Sequence, residues 1–153
     1  MNKIALVTGA TSGFGKVIAE KFAEEGYDVI ITGRRSELLQ VVAAYRQKKN
    51  SVKVLPLSFD VRNRNSVNLN LQNLPAEWRN IDVLVNNAGL ALGRDYFEEA
   101  DMEDWETMID TNIKGLLYVS RAIIPYMKKK KKGHIINMGS VAAIDNYEKG
   151  NVY

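Results

Sequence analysis

The chain has 153 residues, enough for one ordinary domain, and its 46% apolar and 25% charged residues are typical of a globular protein. It contains no cysteine and a single histidine. The absence of cysteine excludes a disulfide framework, thiolate zinc sites and a cysteine nucleophile, and the single histidine argues against a histidine-based metal site or a Ser-His-Asp triad. The net charge of +3 is too small to indicate a nucleic-acid-binding protein.

The first predicted strand, near residues 3–8, leads into a loop with glycines at positions 9, 13 and 15. A helical pattern follows over about residues 13–25, and its predicted apolar face carries Phe14, Val17, Ile18 and Phe22. Glycines let the backbone approach a ligand closely, and the N–H groups at a helix N-terminus attract an anionic pyrophosphate. The spacing is G-x-x-x-G-x-G rather than G-x-G-x-x-G, and no Gly-Lys-Ser/Thr follows as it would in a P-loop. We predict that this loop binds a nucleotide, with an ordinary glycine-rich turn as the alternative. The predicted binding residues are Gly9, Ala10, Thr11, Ser12, Gly13, Phe14 and Gly15.

Strand and helix patterns continue to alternate, which indicates βαβ units and a parallel sheet. Residues 29–32 are the second predicted strand, and Ser36 is a candidate N-cap for the helix after it. Residues 52–59 are the third predicted strand, in which Pro56 indicates an edge position. Residues 64–74 fit both a strand and a helix, and we predict a helix because a parallel sheet needs a crossover there.

The fourth predicted strand covers residues 81–85, and a long helical region follows it. Asp101 and Asp104 resemble a capping box at its start, Gly133 is expected to end it, and residues 134–138 form the fifth strand. Lysines occupy positions 128–132, and we interpret them as a solvated helix end rather than as a surface for nucleic acid or membrane. No apolar run reaches membrane-spanning length, and the first strand begins close to the N-terminus, so we expect a cytoplasmic protein without membrane segment or signal peptide.

The residues after the second predicted strand indicate which dinucleotide the protein binds. In a parallel α/β sheet the ligand lies at the carboxyl ends of the strands, and an acidic residue about 20 positions after the glycine loop binds the ribose of NAD. Here the strand leads into Arg34 and Arg35, whereas Asp28 lies at its opposite end. Guanidinium groups bind phosphates through paired hydrogen bonds. We therefore predict that Arg34 and Arg35 bind the 2′-phosphate of NADP, with a pair of solvated arginines as the alternative.

Polar and small residues follow the third and fourth predicted strands, where a bound dinucleotide would run. Asp60 and Val61 follow the third strand, and a carboxylate there can accept a hydrogen bond from the adenine amino group. Asn86-Asn-Ala-Gly89 follows the fourth strand, and its small residues let the backbone pass close to a ribose. Each segment alone is an ordinary loop signal. We predict that the dinucleotide contacts Asp60, Val61, Asn87, Ala88 and Gly89.

Taken together, these motifs resemble those of the short-chain dehydrogenase/reductase family over the whole chain. The resemblance rests on the order and spacing of Thr8-Gly-x-x-x-Gly-x-Gly15, Asp60, Asn86-Asn-Ala-Gly89, Asn112, Ser140 and Tyr153. It implies an α/β fold of the Rossmann type, a doubly wound parallel sheet with strand order 3-2-1-4-5 in a single dinucleotide-binding domain. Segments such as Asp104-Trp-Glu-Thr-Met-Ile-Asp-Thr-Asn112 look like the NADP-dependent 3-hydroxy acid dehydrogenases, which oxidise serine and related acids or reduce malonic semialdehyde.

The resemblance also assigns roles to three residues. Tyr153 is expected to be the acid/base for the substrate oxygen, and Ser140 is expected to donate a hydrogen bond to that oxygen. Asn112 is expected at a helix irregularity, where it would hold a water for proton relay. The implied partner is a small-molecule substrate, and the complete protein is expected to be a homo-oligomer.

The sequence departs from the family pattern at its end. The family places a lysine four residues after this tyrosine, whereas the sequence ends at Tyr153, and Lys149 lies upstream on a predicted loop. We therefore expect a chain truncated before the last helix and two strands, and inactive by itself. The alternative function is a non-catalytic NADP-binding fragment or module, and a third function, nucleic-acid binding, rests on the lysine cluster alone.

Overall fold

The computed structural model describes residues 2–50, 52–145 and 147–153. At its centre lies a sheet of parallel strands, which are β1 (Ile4–Val7), β2 (Asp28–Gly33), β3 (Val54–Ser58), β4 (Ile81–Asn86) and β5 (His134–Asn137). Their order, β3-β2-β1-β4-β5, confirms the predicted order. β3 is shorter than the predicted 52–59, and Pro56 lies on this edge strand as expected, because proline has no N–H for a second neighbour.

Helices connect the strands in the described part of the chain. They are α1 (Gly13–Glu24), α2 (Ser36–Asn50), α3 (Arg64–Gln72), α4 (Met102–Met108) and α5 (Leu116–Lys130). A π-helix, Ile109–Gly115, joins α4 to α5, and 3₁₀ turns cover Ala76–Trp78 and Val141–Ala143. The segment that fitted both a strand and a helix is thus a helix, as predicted. None of the helices among the described residues is long and apolar enough to cross a membrane.

Helices cover both faces of the sheet over β1, β2 and β4, whereas β5 at its edge is mostly exposed. On one face Leu6 belongs to a core cluster with Leu71 of α3 and Ile123 of α5. On the other face Val7 belongs to a cluster with Ala19 of α1 and with residues of α2. Successive strand residues therefore serve opposite cores, as the two-residue period of a strand requires. In an open parallel sheet of this kind, a ligand binds at the edge formed by the carboxyl ends of the strands.

The buried face of α1 differs from the prediction. Phe14 is 77% exposed and Val17 is 60% exposed, whereas Gly15, Ala19 and Ala23 are buried. Small residues let the helix backbone approach the strands, and larger side chains in the same place would hold it away. The predicted apolar face was therefore wrong at Phe14 and Val17.

Two helix ends also differ from the prediction. The carbonyl of Arg35 accepts the first helical hydrogen bond of α2, so the N-cap position falls on Arg35 rather than on Ser36. The helix α5 ends before Gly133, with Lys131 in the left-handed conformation at φ 56°. Gly133 has a packing role instead, because a Cβ there would lie 2.5 Å from Cγ of Met127.

The lysine cluster is only partly a solvated helix end. Lys130 Nζ lies 2.6 Å from Oδ1 of Asp82, and the two side chains are 17% and 15% exposed. Asp82 also accepts from the backbone N–H of Ile4 at 2.9 Å. Partial burial by itself would raise the pKa of Asp82, but the hydrogen bonds from Lys130 and Ile4 and the nearby lysine charges outweigh it and lower the pKa below its usual value. The pair ties the end of α5 to the starts of β1 and β4.

Candidate functional site

A cavity of about 310 Å³ opens at the carboxyl edge of the sheet. Its lining comes from the segments that follow β1, β2, β3 and β4 and from the π-helix. The lining residues are Gly9, Thr11, Ser12, Gly33, Arg34, Arg35, Phe59, Asp60, Val61, Ala88, Gly89, Leu90 and Thr111. The cavity lies where the strand order reverses, which is the usual ligand position in an open parallel sheet.

The glycine loop after β1 lies so close to other parts of the protein that side chains at two of its positions would collide with them. Gly9 has a φ of 66°, and a Cβ on it would lie 3.0 Å from Cα of Ala88. A Cβ on Gly15 would overlap the carbonyl oxygen of Gly9 and the side-chain amide of Asn87. The start of α1 therefore lies against the loop after β4, and Ser12, the residue before the helix, lines the cavity.

Thr8 joins the loops that follow β1 and β4. Its hydroxyl oxygen accepts from the backbone N–H groups of Asn87 at 3.0 Å and of Ala88 at 2.9 Å. In return, the Asn87 side-chain amide donates to the carbonyl oxygen of Thr8 at 2.8 Å. Asn87 thus acts on the glycine loop from outside the cavity lining, and the two loops are held as one unit.

The end of the cavity next to β2 carries cations and hydroxyl groups. Arg35 donates from Nη2 to Thr11 Oγ1 at 2.7 Å and to Ser12 Oγ at 2.9 Å. Arg34 also lines the cavity, while the carboxylate of β2, Asp28, lies at the opposite end of that strand. Hydrogen-bond donors suited to a phosphate therefore converge at this end of the cavity.

Asp60, at the end of β3, is held by Arg62. Its Oδ2 accepts from Arg62 Nη2 at 2.7 Å and from Nε at 3.0 Å, and its Oδ1 accepts from the backbone N–H of Arg62 at 3.0 Å. Partial burial would raise the pKa of Asp60, but the hydrogen bonds from Arg62 and the charges of Arg62 and Arg34 lower it below its usual value. The cavity therefore contains a fixed, ionised carboxylate at the end of β3.

Asn112 lies in the π-helix, which is the irregularity expected at this position. Its Oδ1 accepts from the backbone N–H of Leu90 at 2.9 Å, and its Nδ2 donates to the carbonyl oxygen of Leu90 at 2.8 Å. At the end of the π-helix, Gly115 lies against Val61, since a Cβ there would be 2.8 Å from Val61 Cγ2. The π-helix thus contacts the loops after both β3 and β4.

Ser140 and Tyr153 lie outside the lining of this cavity. Ser140 follows β5, and its Oγ accepts from a backbone N–H of the 3₁₀ turn after it at 3.2 Å. Tyr153 is 41% exposed, and among the described residues no hydrogen bond joins its side chain to Ser140 or Asn112. Lys149 Nζ lies 4.6 Å from the ring centre of Tyr96, so this lysine contacts a different aromatic ring.

The structure brings most of the predicted dinucleotide residues to one cavity, but not all of them. Those that line it are Gly9, Thr11, Ser12, Arg34, Arg35, Asp60, Val61, Ala88 and Gly89. Those outside its lining are Ala10, Gly13, Phe14, Gly15 and Asn87, together with the predicted catalytic residues Asn112, Ser140 and Tyr153.

Other site residues were missed by the sequence analysis. They are the lining residues Gly33, Phe59, Leu90 and Thr111, and Arg62, which holds Asp60. Position in the sequence was the available signal, because Leu90 follows Gly89 and Thr111 precedes Asn112. The place of Thr111 depends on how the π-helix meets the strand ends, which no local pattern indicates.

The short chain dehydrogenase family model matches residues 3–153. The NADP-dependent 3-hydroxy acid dehydrogenase YdfG of Salmonella typhi is 54% identical over 150 residues, which are 98% of this chain and 59% of that protein. The crystal structure of serine dehydrogenase from Escherichia coli is 52% identical, with a TM-score of 0.90, and the match covers 98% of this chain and 68% of that one. The closed form of serine dehydrogenase complexed with NADP+ is also 52% identical, with a TM-score of 0.91 and coverage of 98% and 59%.

The chain therefore spans 59% of the length of the curated relative it matches. The family match extends over almost all of the present sequence and agrees with the strand order and the cavity. The chain belongs to the short chain dehydrogenase family.

Proposed function

We propose that the protein is an oxidoreductase that transfers a hydride between NADP(H) and a small 3-hydroxy acid or its carbonyl form. The observation that carries the proposal is the position of Arg35, 2.7 Å and 2.9 Å from the hydroxyl oxygens of Thr11 and Ser12 at the rim of the cavity. The relative from Salmonella typhi is NADP-dependent by name, and a serine dehydrogenase with the same fold has been crystallised with NADP+. Both support the choice of cofactor and of substrate class.

The residues around the cavity fit an NADP molecule. The glycine loop and the first turn of α1 would hold the pyrophosphate, because Gly9 and Gly15 let the loop after β1 and the start of α1 lie against the loop after β4. Arg34 and Arg35 would bind the 2′-phosphate. The loops after β3 and β4, with Asp60-Val61 and Asn87-Ala-Gly89, would contact the adenine and the ribose.

The cofactor, when bound, supplies the hydride acceptor or donor, and the proton is left to side chains of the protein. Ser140 Oγ already accepts one hydrogen bond from the turn after β5, so its O–H group is free to donate to a substrate oxygen. Tyr153 would exchange the proton of that oxygen as the acid/base. Asn112 would act one step away, because its amide fixes the peptide group of Leu90 beside the cavity.

The alternative function is an NADP-binding module without turnover. One experiment on the full-length protein separates the two functions. NADPH binding is measured by calorimetry, and NADPH formation is followed with serine and 3-hydroxypropanoate as substrates. For the proposed function we expect turnover in the wild type and its loss in Ser140→Ala and Tyr153→Phe, with NADPH binding retained in both variants.

Each other outcome of that experiment has one meaning. NADPH binding without turnover, on either substrate or on other small hydroxy acids, supports the non-catalytic module. Absence of NADPH binding contradicts both functions. Arg121→Ala, which removes an exposed charge from α5, is the control and should leave binding and turnover unchanged.

A further inference from the structure

The side chain of Asn151 connects the segment 147–153 to two other parts of the protein. Its Oδ1 accepts from Nε1 of Trp105 in α4 at 3.1 Å, and its Nδ2 donates to the carbonyl oxygen of Asp95, in the loop after β4, at 3.2 Å. Oδ1 also accepts from the backbone N–H of the following residue at 2.6 Å. Both polar atoms of this amide are therefore engaged, at a point two residues before Tyr153.

The backbone around Asn151 explains why these contacts matter. Residues 150–153 lie outside the helices and strands, and the N–H of Tyr153 donates to the carbonyl oxygen of Gly150 at 3.1 Å. Asn151 itself has a φ of 32°, in the left-handed region that asparagine and aspartate adopt more readily than other side chains do. Because no helix or sheet surrounds this turn, side-chain contacts with the rest of the protein determine where it lies.

A second set of contacts joins the loop after β4 to the segment 147–153. The hydroxyl of Tyr96 donates to Oε1 of Glu148 at 2.9 Å, beside the contact of the same ring with the lysine that follows Glu148. The ring of Phe97 lies 4.7 Å from that of Trp105, measured between ring centres. The loop after β4 therefore contacts both this segment and the tryptophan that binds it.

We infer that Asn151 is a positioning residue for Tyr153, and that Trp105 acts through it. This inference rests on the proposed function, in which Tyr153 is the acid/base. Proton transfer requires the phenol oxygen to lie within hydrogen-bonding distance of the substrate oxygen, and a displacement of about 1 Å can cost a factor of about 100 in rate. Asn151 fixes the backbone two residues before the phenol, so its loss should slow turnover without weakening NADPH binding.

The test measures kcat, the Kd for NADPH and the melting temperature of full-length variants. The substrate is serine or 3-hydroxypropanoate, whichever the wild type turns over faster. Asn151→Gly removes the amide and keeps a residue that tolerates positive φ, so it adds no backbone strain. Asn151→Asp keeps an acceptor for the indole N–H, and Trp105→Phe removes that N–H while keeping an aromatic ring. We expect kcat to fall about 10- to 100-fold in Asn151→Gly and less in the other two variants, with the Kd for NADPH unchanged in all three.

A double variant tests whether Trp105 acts through Asn151. Trp105→Phe should lower kcat by itself but cause no further loss in a protein that already carries Asn151→Gly, because the bond it breaks is then absent. Losses that multiply would contradict this route. Trp78→Phe is the matched control, since Trp78 is the second tryptophan of the sequence and belongs to the core cluster with Leu71. It should lower the melting temperature and leave kcat unchanged.

The outcomes that overturn the inference differ from those that overturn the proposed function. If kcat is unchanged in Asn151→Gly, or falls no further than the affinity for NADPH does, Asn151 is not a positioning residue. Trp105→Phe decides the same question if Asn151→Gly does not fold, because an unchanged kcat there excludes the route through the indole. Full turnover in Tyr153→Phe, or a wild type without turnover, would contradict the proposed function and the inference with it.

Discussion

Arg35→Ala is expected to remove most of the preference for NADP(H) over NAD(H). The two cofactors differ only in the 2′-phosphate, and Arg35 is held 2.7 Å and 2.9 Å from the hydroxyl oxygens of Thr11 and Ser12. A hydrogen bond to a charged group contributes about 1.5–3 kcal/mol, which is roughly 10- to 150-fold in affinity. Because Arg35 is exposed and water screens its charge, we expect the lower part of this range, about 10- to 30-fold.

The ratio of the two affinities separates the phosphate contact from a structural effect. Arg35→Ala also removes the hydrogen bonds to the glycine loop, and a looser loop weakens both cofactors alike. That shared loss cancels when the Kd for NAD is divided by the Kd for NADP. Arg35→Lys keeps the charge but not the planar fork of donors, so its ratio should fall between those of the wild type and Arg35→Ala.

The assay is a calorimetric titration of the full-length wild type and its variants with each cofactor at one fixed salt concentration. Arg121→Ala serves as the matched control, because it removes one exposed positive charge from α5 and should leave the ratio unchanged. An unchanged ratio in Arg35→Ala, or an equal fall in Arg121→Ala, would refute a specific role for Arg35.

Three further changes test the framework of the site. Gly15→Ala should abolish NADPH binding in calorimetry, because its Cβ would overlap the backbone of the glycine loop. At Gly13 no atom lies within 4 Å of an added Cβ, so Gly13→Ala should lower the stability of the protein by only about 1–2 kcal/mol, the cost of its positive φ. Asp82→Asn should lower the free energy of unfolding by about 1–3 kcal/mol in urea melts at neutral pH. Because the pKa of Asp82 is lowered in the fold, its contribution to the free energy of unfolding is complete above the unfolded pKa of about 4 and is lost as the pH falls through the folded pKa. The wild type and Asp82→Asn should therefore become equally stable in acid. Asn112→Asp places a carboxylate against the backbone carbonyl oxygen of Leu90 and should lower the melting temperature. An unchanged melting temperature would show that the hydrogen bonds between Asn112 and Leu90 add no stability.

The parallel sheet could be predicted because its signals are local. The glycine loop, the edge proline Pro56 and the alternation of strands with helices each follow from short patterns, whereas the order of the strands was implied by the family resemblance. The face of α1 could not be predicted in the same way. Apolar periodicity selects large side chains such as Phe14, but the helix packs through Gly15 and Ala19, since close approach to the strands matters more there.

The candidate site also contains some residues whose place could be predicted from the sequence and others whose place could not. The position of Arg35 at the cavity could be predicted from its place after β2, because the carboxyl end of a strand has a known position in this fold. The place of Thr111 at the cavity could not, because it depends on how the π-helix meets segments that are distant in the sequence. Arg62 binds Asp60, only two residues before it, but no motif in the sequence analysis singled it out. A threonine inside a helical pattern carries no local sign that it lines a cavity.

The contacts around the cavity show how the protein prepares it for a ligand. Thr8 fixes the loop after β4 to the loop after β1, Asn112 fixes Leu90, and Arg62 fixes Asp60, all through hydrogen bonds of 2.7–3.2 Å. Because these bonds join protein groups to one another, the fold itself holds the loops that would contact the ligand, and binding loses less conformational entropy. Arg35 is likewise held by the loop it would serve. Substitutions at Thr8, Asn112 and Arg62 should therefore weaken NADP and NAD alike, whereas those at Arg35 should change the choice between them.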